Sequence, residues 1–239
     1  MVKKLSLSII VSAYNEEKYI GECLKYILKN SGPEVVEIIV IDNASTDATK
    51  VIAESLRVRV ITEKKSWVSF ARQRWYEESS GDIIAFLDAD TSMPKNWTKK
   101  ILEPFQKNKN TSLVTGPYFY YDLYFWENII CFLFWPLFYF WSFFIWPMAV
   151  GGNMALRRSA LKKLGWFDTA IKFYGDDTDI ARRASTVGKV VFSLRLIMPT
   201  SGRRLRGIGV VKTHIIYLVN YISVSLFHKP YHTHYKKFR

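Results

Sequence analysis

The chain has 239 residues, of which 49% are hydrophobic and 16% aromatic: enough apolar material for one large α/β domain, and too much for a disordered chain. Its net charge of +13 is unevenly placed, because residues 1–156 balance 17 Lys/Arg against 17 Asp/Glu while residues 157–239 set 17 Lys/Arg against only Asp168, Asp176, Asp177 and Asp179. Two cysteines, Cys23 and Cys131, argue against a disulfide framework or a cysteine metal site and fit a reducing compartment.

Met1 to Leu5 run straight into a strand pattern, so no secretory leader is expected. Leu7–Ala13 is a short apolar run and reads as a buried strand, followed by the polar loop Tyr14-Asn15-Glu16-Glu17. Residues 17–29 carry Tyr19, Ile20, Cys23, Leu24, Ile27 and Leu28 at helical spacing, and Ser31-Gly32-Pro33 ends that helix. Val35–Ile41 is a second strand, Asp42–Asp47 a polar loop, residues 47–56 a second helix and Val58–Thr62 a third strand. Residues 67–79 have a helical pattern, and Asp82–Leu87 form a fourth strand ending at Asp88-Ala89-Asp90.

Strands alternating with helices imply βαβ units and a parallel sheet. Ligands bind such sheets at the carboxyl ends of the strands. The polar clusters 14–17, 42–47 and 88–90 fall at three of those ends. Asp88 and Asp90 stand two apart just past a buried strand, where alternation puts them on one side. Two carboxylates there suit Mg²⁺ or Mn²⁺, which bind one or two carboxylates together with substrate phosphates. The competing reading is a cap on a helix starting near Pro94.

The ordered motifs Ser-Ala-Tyr-Asn-Glu-Glu at 12–17, Ile-Asp-Asn-Ala-Ser-Thr-Asp at 41–47, Ser-Gly-Asp-Ile-Ile-Ala-Phe-Leu-Asp-Ala-Asp at 80–90, Gly-Gly-Asn-Met-Ala-Leu-Arg-Arg at 151–158 and Gly-Asp-Asp-Thr-Asp at 175–179 resemble family 2 glycosyltransferases over residues 5–195. The resemblance implies a GT-A fold, Rossmann-like and mostly parallel, and an inverting transfer from a UDP-, GDP- or dTDP-linked sugar. It implies that Ala13, Tyr14, Glu16, Asp42, Arg72 and Asp88 line the nucleotide site and that Asp88 and Asp90 hold the metal. It implies that Asp177, beside Asp176, is the general base, and that Gly152, Asn153 and Trp166 contact the donor sugar or acceptor. Inversion requires one metal-free carboxylate opposite the leaving group, to take the acceptor's proton. Asp176 stands where the family has Glu, Trp166 where a second glycine is common, and Gln73-Arg74 where Asn-x-Gly is common. The QxxRW motif of processive synthases is absent, which argues against a polymerising enzyme. The alternative reading of Asp176, Asp177 and Asp179 is plain capping of a helix at Thr178–Ser185.

Residues 128–156 hold 29 residues without a charge, among them Phe132, Phe134, Trp135, Phe138, Tyr139, Phe140, Trp141, Phe143, Phe144 and Trp146. One membrane crossing would put Asp88 and Asp177 on opposite sides, and two need about 40 apolar residues. The expectation is a hairpin broken at Pro136 or Pro147, or helices in the interface, with a buried core segment as the alternative. The tail sets Arg203, Arg204, Arg206 and Lys212 before Ile215–Ile222, and Lys229, Lys236, Lys237 and Arg239 after it. Apolar residues flanked by cations suit anionic headgroups, and the three arginines suit a phosphate. His232 and His234 have no further ligand and carry no zinc site.

The expected organisation is a catalytic domain over 1–200, including an apolar insertion at 123–150, and a basic amphipathic helical tail over 201–239. The expected acceptor is a membrane lipid or lipid-linked glycan at the cytoplasmic face, with no nucleic-acid partner. A sugar nucleotidyltransferase is disfavoured because residues 12–17 lack a glycine-rich phosphate loop. A silent membrane-binding module is disfavoured by the intact Asp42, Asp88, Asp90 and Asp177.

Overall fold

The computed structural model describes residues 4–63, 78–142, 144–165 and 175–232. Arg72, Trp166, His234 and the helical pattern at 67–77 lie outside the described residues. The strands are β1 (Leu7–Ala13), β2 (Val35–Asp42), β3 (Arg59–Thr62), β4 (Ile83–Asp88), β5 (Thr111–Thr115), β6 (Tyr118–Tyr120), β7 (Asn153–Arg157), β8 (Lys189–Phe192) and β9 (Met198–Thr200). The helices are α1 (Ile20–Asn30), α2 (Thr49–Ser55), α3 (Trp97–Lys107), α4 (Phe125–Ser142), α5 (Arg158–Leu164), α6 (Asp176–Val187), α7 (Arg203–Ile208) and α8 (Val210–Phe227).

Seven strands form one sheet in the order β3-β2-β1-β4-β7-β5-β8. β3, β2, β1 and β4 are mutually parallel, so the mostly parallel α/β architecture is as expected. β7 inserts antiparallel between β4 and β5. β6 and β9 pair in a second, two-stranded parallel sheet. From β1 the chain first winds outward to β2 and β3, then returns to place β4 on the other side of β1. That reversal is the switch point at which open α/β sheets bind ligands, and the register puts Ser12 opposite Asp88 across it.

Alternation divides the sheet's side chains between two cores. Leu7, Ile9 and Val11 join α1 and α3 through Leu24, Ile27, Trp97, Ile101 and Phe105. Ile10, Ile39, Ile41, Ile84 and Phe86 face α5 and α6 through Leu161, Ile180 and Ala184. The sheet is thus covered on both faces, which is why its central strands read as continuous apolar runs.

The uncharged stretch 128–156 does not behave as one unit. α4 runs through Pro136 to Ser142 instead of breaking there. Pro136 lies on the helix's exposed side, as does Phe132, whose carbonyl loses its helical partner to the proline. The far end of the stretch, Asn153–Arg157, is strand β7 in the middle of the sheet, with Met154, Ala155 and Leu156 fully buried. The core reading therefore holds for the end of the stretch. The helical part has a mixed character: Cys131 and Trp135 pack inward while Phe125, Phe132, Leu133 and Phe140 are exposed.

Residues 203–227 form two helices packed on the body, and α8 contacts α4, α6 and α7. By length and composition α8 is apolar enough to cross a membrane. Both cysteines are free and buried, and burial pushes the Cys23 thiol up to about 12.

Candidate active site

The loops after β1 and β2 are tied together before any ligand arrives. Asn15 N–H donates to Ser45 Oγ at 2.9 Å, and Asn15 Oδ1 accepts from Thr46 N–H at 2.7 Å. Glu16 N–H donates to Thr49 Oγ1 at 2.7 Å, and Glu17 Oε2 accepts from Ala48 N–H at 3.1 Å. Asn15 adopts φ 53°, a left-handed turn that asparagine tolerates. The outcome is a pre-formed cradle at the strand ends. Ala13 lies buried at its base, with its carbonyl accepting from Asn43 N–H at 2.9 Å. Asp42 is buried beneath the loop, where Oδ1 accepts from Ser45 N–H at 3.2 Å. Tyr14 sits half-buried at the entrance to the loop.

Asp88 ends β4 and Asp90 lies two residues beyond it, and the two face different surroundings. Asp88 lines a cavity of about 300 Å³ together with Ser12, Asn43, Tyr118, Asp176 and Asp177. The Tyr118 hydroxyl donates to Asp88 Oδ2 at 2.7 Å. Asp90 instead lines a second cleft with Tyr19, Glu22 and Tyr121. The Thr200 hydroxyl donates to its Oδ1 at 3.2 Å, and Arg203 Nη2 lies 3.1 Å from its Oδ2. Strict strand alternation would have put both carboxylates on one side, but the chain leaves β4 at Asp88 and turns, which separates them.

Arg203 also donates to Glu16 Oε1 at 2.5 Å, and its guanidinium lies 4.7 Å from the Tyr19 ring centroid. It is therefore a bridge between the β1 loop and the metal motif. Burial and the neighbouring Asp88 push the Asp90 carboxyl up to about 7, against the pull of Arg203. Burial likewise raises Glu16, with Asp88 adding to the effect and Arg203 opposing it. Glu16, Asp88 and Asp90 lie within electrostatic reach of one another, and the Arg203 guanidinium pairs with Glu16 and Asp90. Glu16 Oε2 and Asn43 Oδ1 are buried and have no hydrogen-bond partner among the described residues. Buried unsatisfied acceptors of this kind are uncommon.

The second acidic cluster divides as well. Asp176 and Asp177 open α6 and line the cavity. Asp177 Oδ1 accepts the Thr178 N–H at 2.8 Å. Asp179 turns inward and pairs with Arg182 at 2.9 Å and Arg183 at 2.7 Å, so its role is structural. Gly175 precedes them at φ 89°, with Val224 of α8 so close that a Cβ would collide with it. Only glycine permits both the turn and the approach of α8.

Gly152 has an equally specific reason. A Cβ there would strike the Asp88 carboxyl and the Tyr118 hydroxyl, so its lack of a side chain opens the cavity. Asn153 is a correction to the sequence reading. It is fully buried, its Oδ1 accepts from Trp97 Nε1 at 3.0 Å, and its Nδ2 donates to Leu196 O at 2.7 Å and Pro117 O at 3.2 Å. With every polar atom engaged, it braces the cavity floor and has nothing left for a sugar.

The arginines of the tail do not form one patch. Arg203 reaches Glu16 and Asp90, Arg204 lines the cavity, and Arg206 donates to Asp122 Oδ2 at 2.9 Å. Sequence reasoning missed Ser12, Asn43 and Tyr118 at the Asp88 end of the cavity, and His214, Tyr217 and Asn220 on α8. The last three recur at spacings of three residues inside an apolar helix, and that polar stripe was the available signal. Tyr118 follows Gly116-Pro117 and belongs to no motif.

This arrangement matches known proteins. The chain is 31% identical to glycosyltransferase GlyG of Streptococcus pneumoniae over 48% of its own length and 40% of that protein's. It is 33% identical to the putative teichuronic acid biosynthesis glycosyltransferase TuaG of Bacillus subtilis, over 46% of each chain. The alignments thus span less than half the length of these relatives. Among solved structures, the mannosyltransferase PcManGT from Pyrobaculum calidifontis, in complex with GDP-Man and Mn²⁺, superposes with a TM-score of 0.72 at 18% identity, over 93% of this chain and 64% of that one. Glucosyl-3-phosphoglycerate synthase from Mycobacterium tuberculosis, in complex with Mn²⁺ and UDP-glucose, gives 0.62 at 21% identity, over 91% of this chain and 79% of that one. These likenesses establish the GT-A fold. The profile described as Glycosyl transferase family 2 matches residues 8–165, about two-thirds of the sequence, and the chain belongs to that family.

Proposed function

We propose that the protein is an inverting, divalent-metal-dependent glycosyltransferase that moves a sugar from a nucleoside-diphosphate donor to a membrane-associated acceptor. One observation carries the reading: Asp88, at the switch point of the sheet, and Asp177, at the N-terminus of α6, line the same cavity. The nucleotide occupies the cradle of Ala13, Tyr14, Glu16 and Asp42, with Asn43 Oδ1 as a further acceptor for the base or ribose. Arg72 belongs to this set by motif alone.

Asp88 and Asp90 would hold Mg²⁺ or Mn²⁺ together with the donor's diphosphate; Asp90 is paired with Arg203 in this structure, so that pair must open for both carboxylates to meet one ion. The ion, when bound, neutralises the charge that builds on the departing diphosphate. Relatives of the same fold hold Mn²⁺ with GDP-Man or UDP-glucose, which supports this donor and metal class. Tyr118 orients Asp88 through its 2.7 Å hydrogen bond, and Gly152 leaves room for the sugar beside it.

Asp177 takes the proton from the acceptor hydroxyl. The hydroxyl oxygen then bonds to the anomeric carbon from the face opposite the leaving group, and the bond to the diphosphate oxygen breaks. Configuration inverts in that single displacement. Asp176, one residue earlier, lines the same cavity.

The exposed Phe125, Trp126, Phe132 and Leu133 of α4 and Ile215, Leu226 and Phe227 of α8 support attachment to a membrane face, peripheral or monotopic. The cytoplasmic side fits the free cysteines and the basic tail.

The test is a screen of UDP-, GDP- and dTDP-sugars for nucleoside diphosphate release in detergent with Mn²⁺ or Mg²⁺. Metal-dependent turnover of one donor, lost in Asp88→Asn, establishes the class and names the donor. No binding and no turnover of any donor would leave a silent membrane-binding module.

A further inference from the structure

Arg203 places a fixed positive charge on one of the two carboxylates of the metal motif. A single nitrogen, Nη2, donates to Glu16 Oε1 at 2.5 Å and lies 3.1 Å from Asp90 Oδ2. The Arg203, Glu16 and Asp90 side chains are only 18%, 15% and 12% exposed, so water screens these pairs weakly. Both oxygens of Asp90 are engaged, because Oδ1 accepts from the Thr200 hydroxyl at 3.2 Å. The hydroxyl is neutral and rotates freely. The guanidinium is always charged.

The placement is built into the backbone. Ser92 N–H donates to Pro199 O at 2.8 Å and Ser201 N–H to Asp90 O at 3.3 Å, and Thr91 forms a bridge with Thr200. The turn into α7 is therefore pinned to the chain around Asp90. Asp122 fastens the same turn from the other side. Its Oδ2 accepts from Ser201 Oγ at 2.7 Å and from Arg206 Nη2 at 2.9 Å, and its Oδ1 accepts from Gly202 N–H. The Arg203 backbone stays beside the metal motif while its long side chain keeps rotamer freedom.

Resting on the reading of Asp88 and Asp90 as the carboxylates for Mg²⁺ or Mn²⁺, we infer that Arg203 is a resident counter-ion that competes with the divalent cation for Asp90. Like charges cannot crowd one carboxylate oxygen without cost. Arg203 keeps its tighter partner, Glu16, and gives up Asp90 when the ion arrives. It thus sets how readily the site takes a metal. It acts through Asp90, and is a positioning residue. A plain staple between the β1 loop and α7 would neither move on metal addition nor weaken metal binding.

The first experiment measures Mn²⁺ binding to the full chain in detergent without nucleotide, from the electron paramagnetic resonance signal of the free ion. Arg203→Gln is expected to bind Mn²⁺ about tenfold tighter than the parent, the lower end of what an arginine beside a carboxylate does to a competing cation, the proton. Arg206→Gln, on the same helix and paired with Asp122, should stay within about twofold of the parent, as exposed pairs contribute little. Unchanged or weaker binding by Arg203→Gln, with folding verified by circular dichroism, overturns the inference. The second experiment uses the unaltered chain and so holds even where the variant fails to fold. Phenylglyoxal labelling of Arg203, mapped by mass spectrometry, should be severalfold faster with Mn²⁺ than without, while Arg206 labels at one rate. Equal labelling of Arg203 in both conditions overturns the inference. Mn²⁺ binding to neither the parent nor Arg203→Gln, with or without GDP or UDP, would remove the metal reading as well, whereas equal binding to both removes the counter-ion alone.

Discussion

Strand β1 buries six of its seven residues and leaves only Ser12 half-open. Helix α8 instead exposes Ile215, Leu226 and Phe227 while it buries Thr213, His214 and Asn220. The first pattern belongs to an interior strand covered by helices on both faces. The second belongs to an element that lines a polar cavity with part of its inner face and packs Val210, Tyr221 and Val224 with the rest. The loops after β1 and β2 are tied to each other by hydrogen bonds. Helix α8 takes its place from contacts with α4, α6 and α7.

The sharpest break in that comparison is Asp177→Asn, which keeps the size of the side chain and removes the proposed base. Transfer is expected to fall about 10³-fold while nucleotide affinity stays within about twofold, since general-base removal alone is typically worth 10²–10⁴. Titration calorimetry and turnover on the same preparation check this. Equal losses in both would show that Asp177 belongs to the donor side.

Arg203→Ala tests the join between the two regions. It leaves Glu16 and Asp90 with an unbalanced buried charge and is expected to cost about 3 kcal/mol, because breaking a buried pair costs more than the pair contributes. Thermal melting should fall by about 6–12 °C for a domain of this size. A melting point within a degree of the parent would mean that Arg203 is dispensable to the apo fold.

Asn153→Ala probes the floor beneath the donor end. It strands the Trp97 indole N–H and two carbonyls, at an expected cost of about 2 kcal/mol, with donor affinity retained once the protein is cooled below its new transition. Loss of donor affinity at full folding would restore a direct contact with sugar. The smallest effect on stability is expected on the outer face of α4. Phe132→Asp should change the unfolding free energy by less than about 0.5 kcal/mol, as exposed substitutions do. The same change should cut binding to anionic lipid vesicles severalfold, and unchanged vesicle binding would count against α4 as the membrane-facing element.

The difference between the two regions also decides how much could be read from sequence. β1, β2, β3 and β4 and the helices α1 and α2 were legible within a residue or three, because period, turn residues and strand-end polar clusters are local signals. The motif residues Asp88 and Asp177 could be named, and the fold brings them to one cavity. Asn153 was misread because its partners Trp97, Pro117 and Leu196 lie 56, 36 and 43 residues away, and nothing near it in the chain distinguishes a brace from a ligand contact. β7 was hidden for a similar reason, since its antiparallel place between β4 and β5 is set by long-range pairing and it ends an apolar run that looks continuous with α4. The arginines looked like one patch because adjacency in sequence says nothing of which face of a short helix each side chain takes.

The most direct test of the central claim, that Asp88 and Asp177 share one cavity for a single displacement, is the anomeric configuration of the first product. Proton NMR of that product, formed from the donor identified in the screen, should show the linkage inverted relative to the nucleotide-sugar. A retained configuration would contradict the assignment of Asp177 as the base on the face opposite the leaving group.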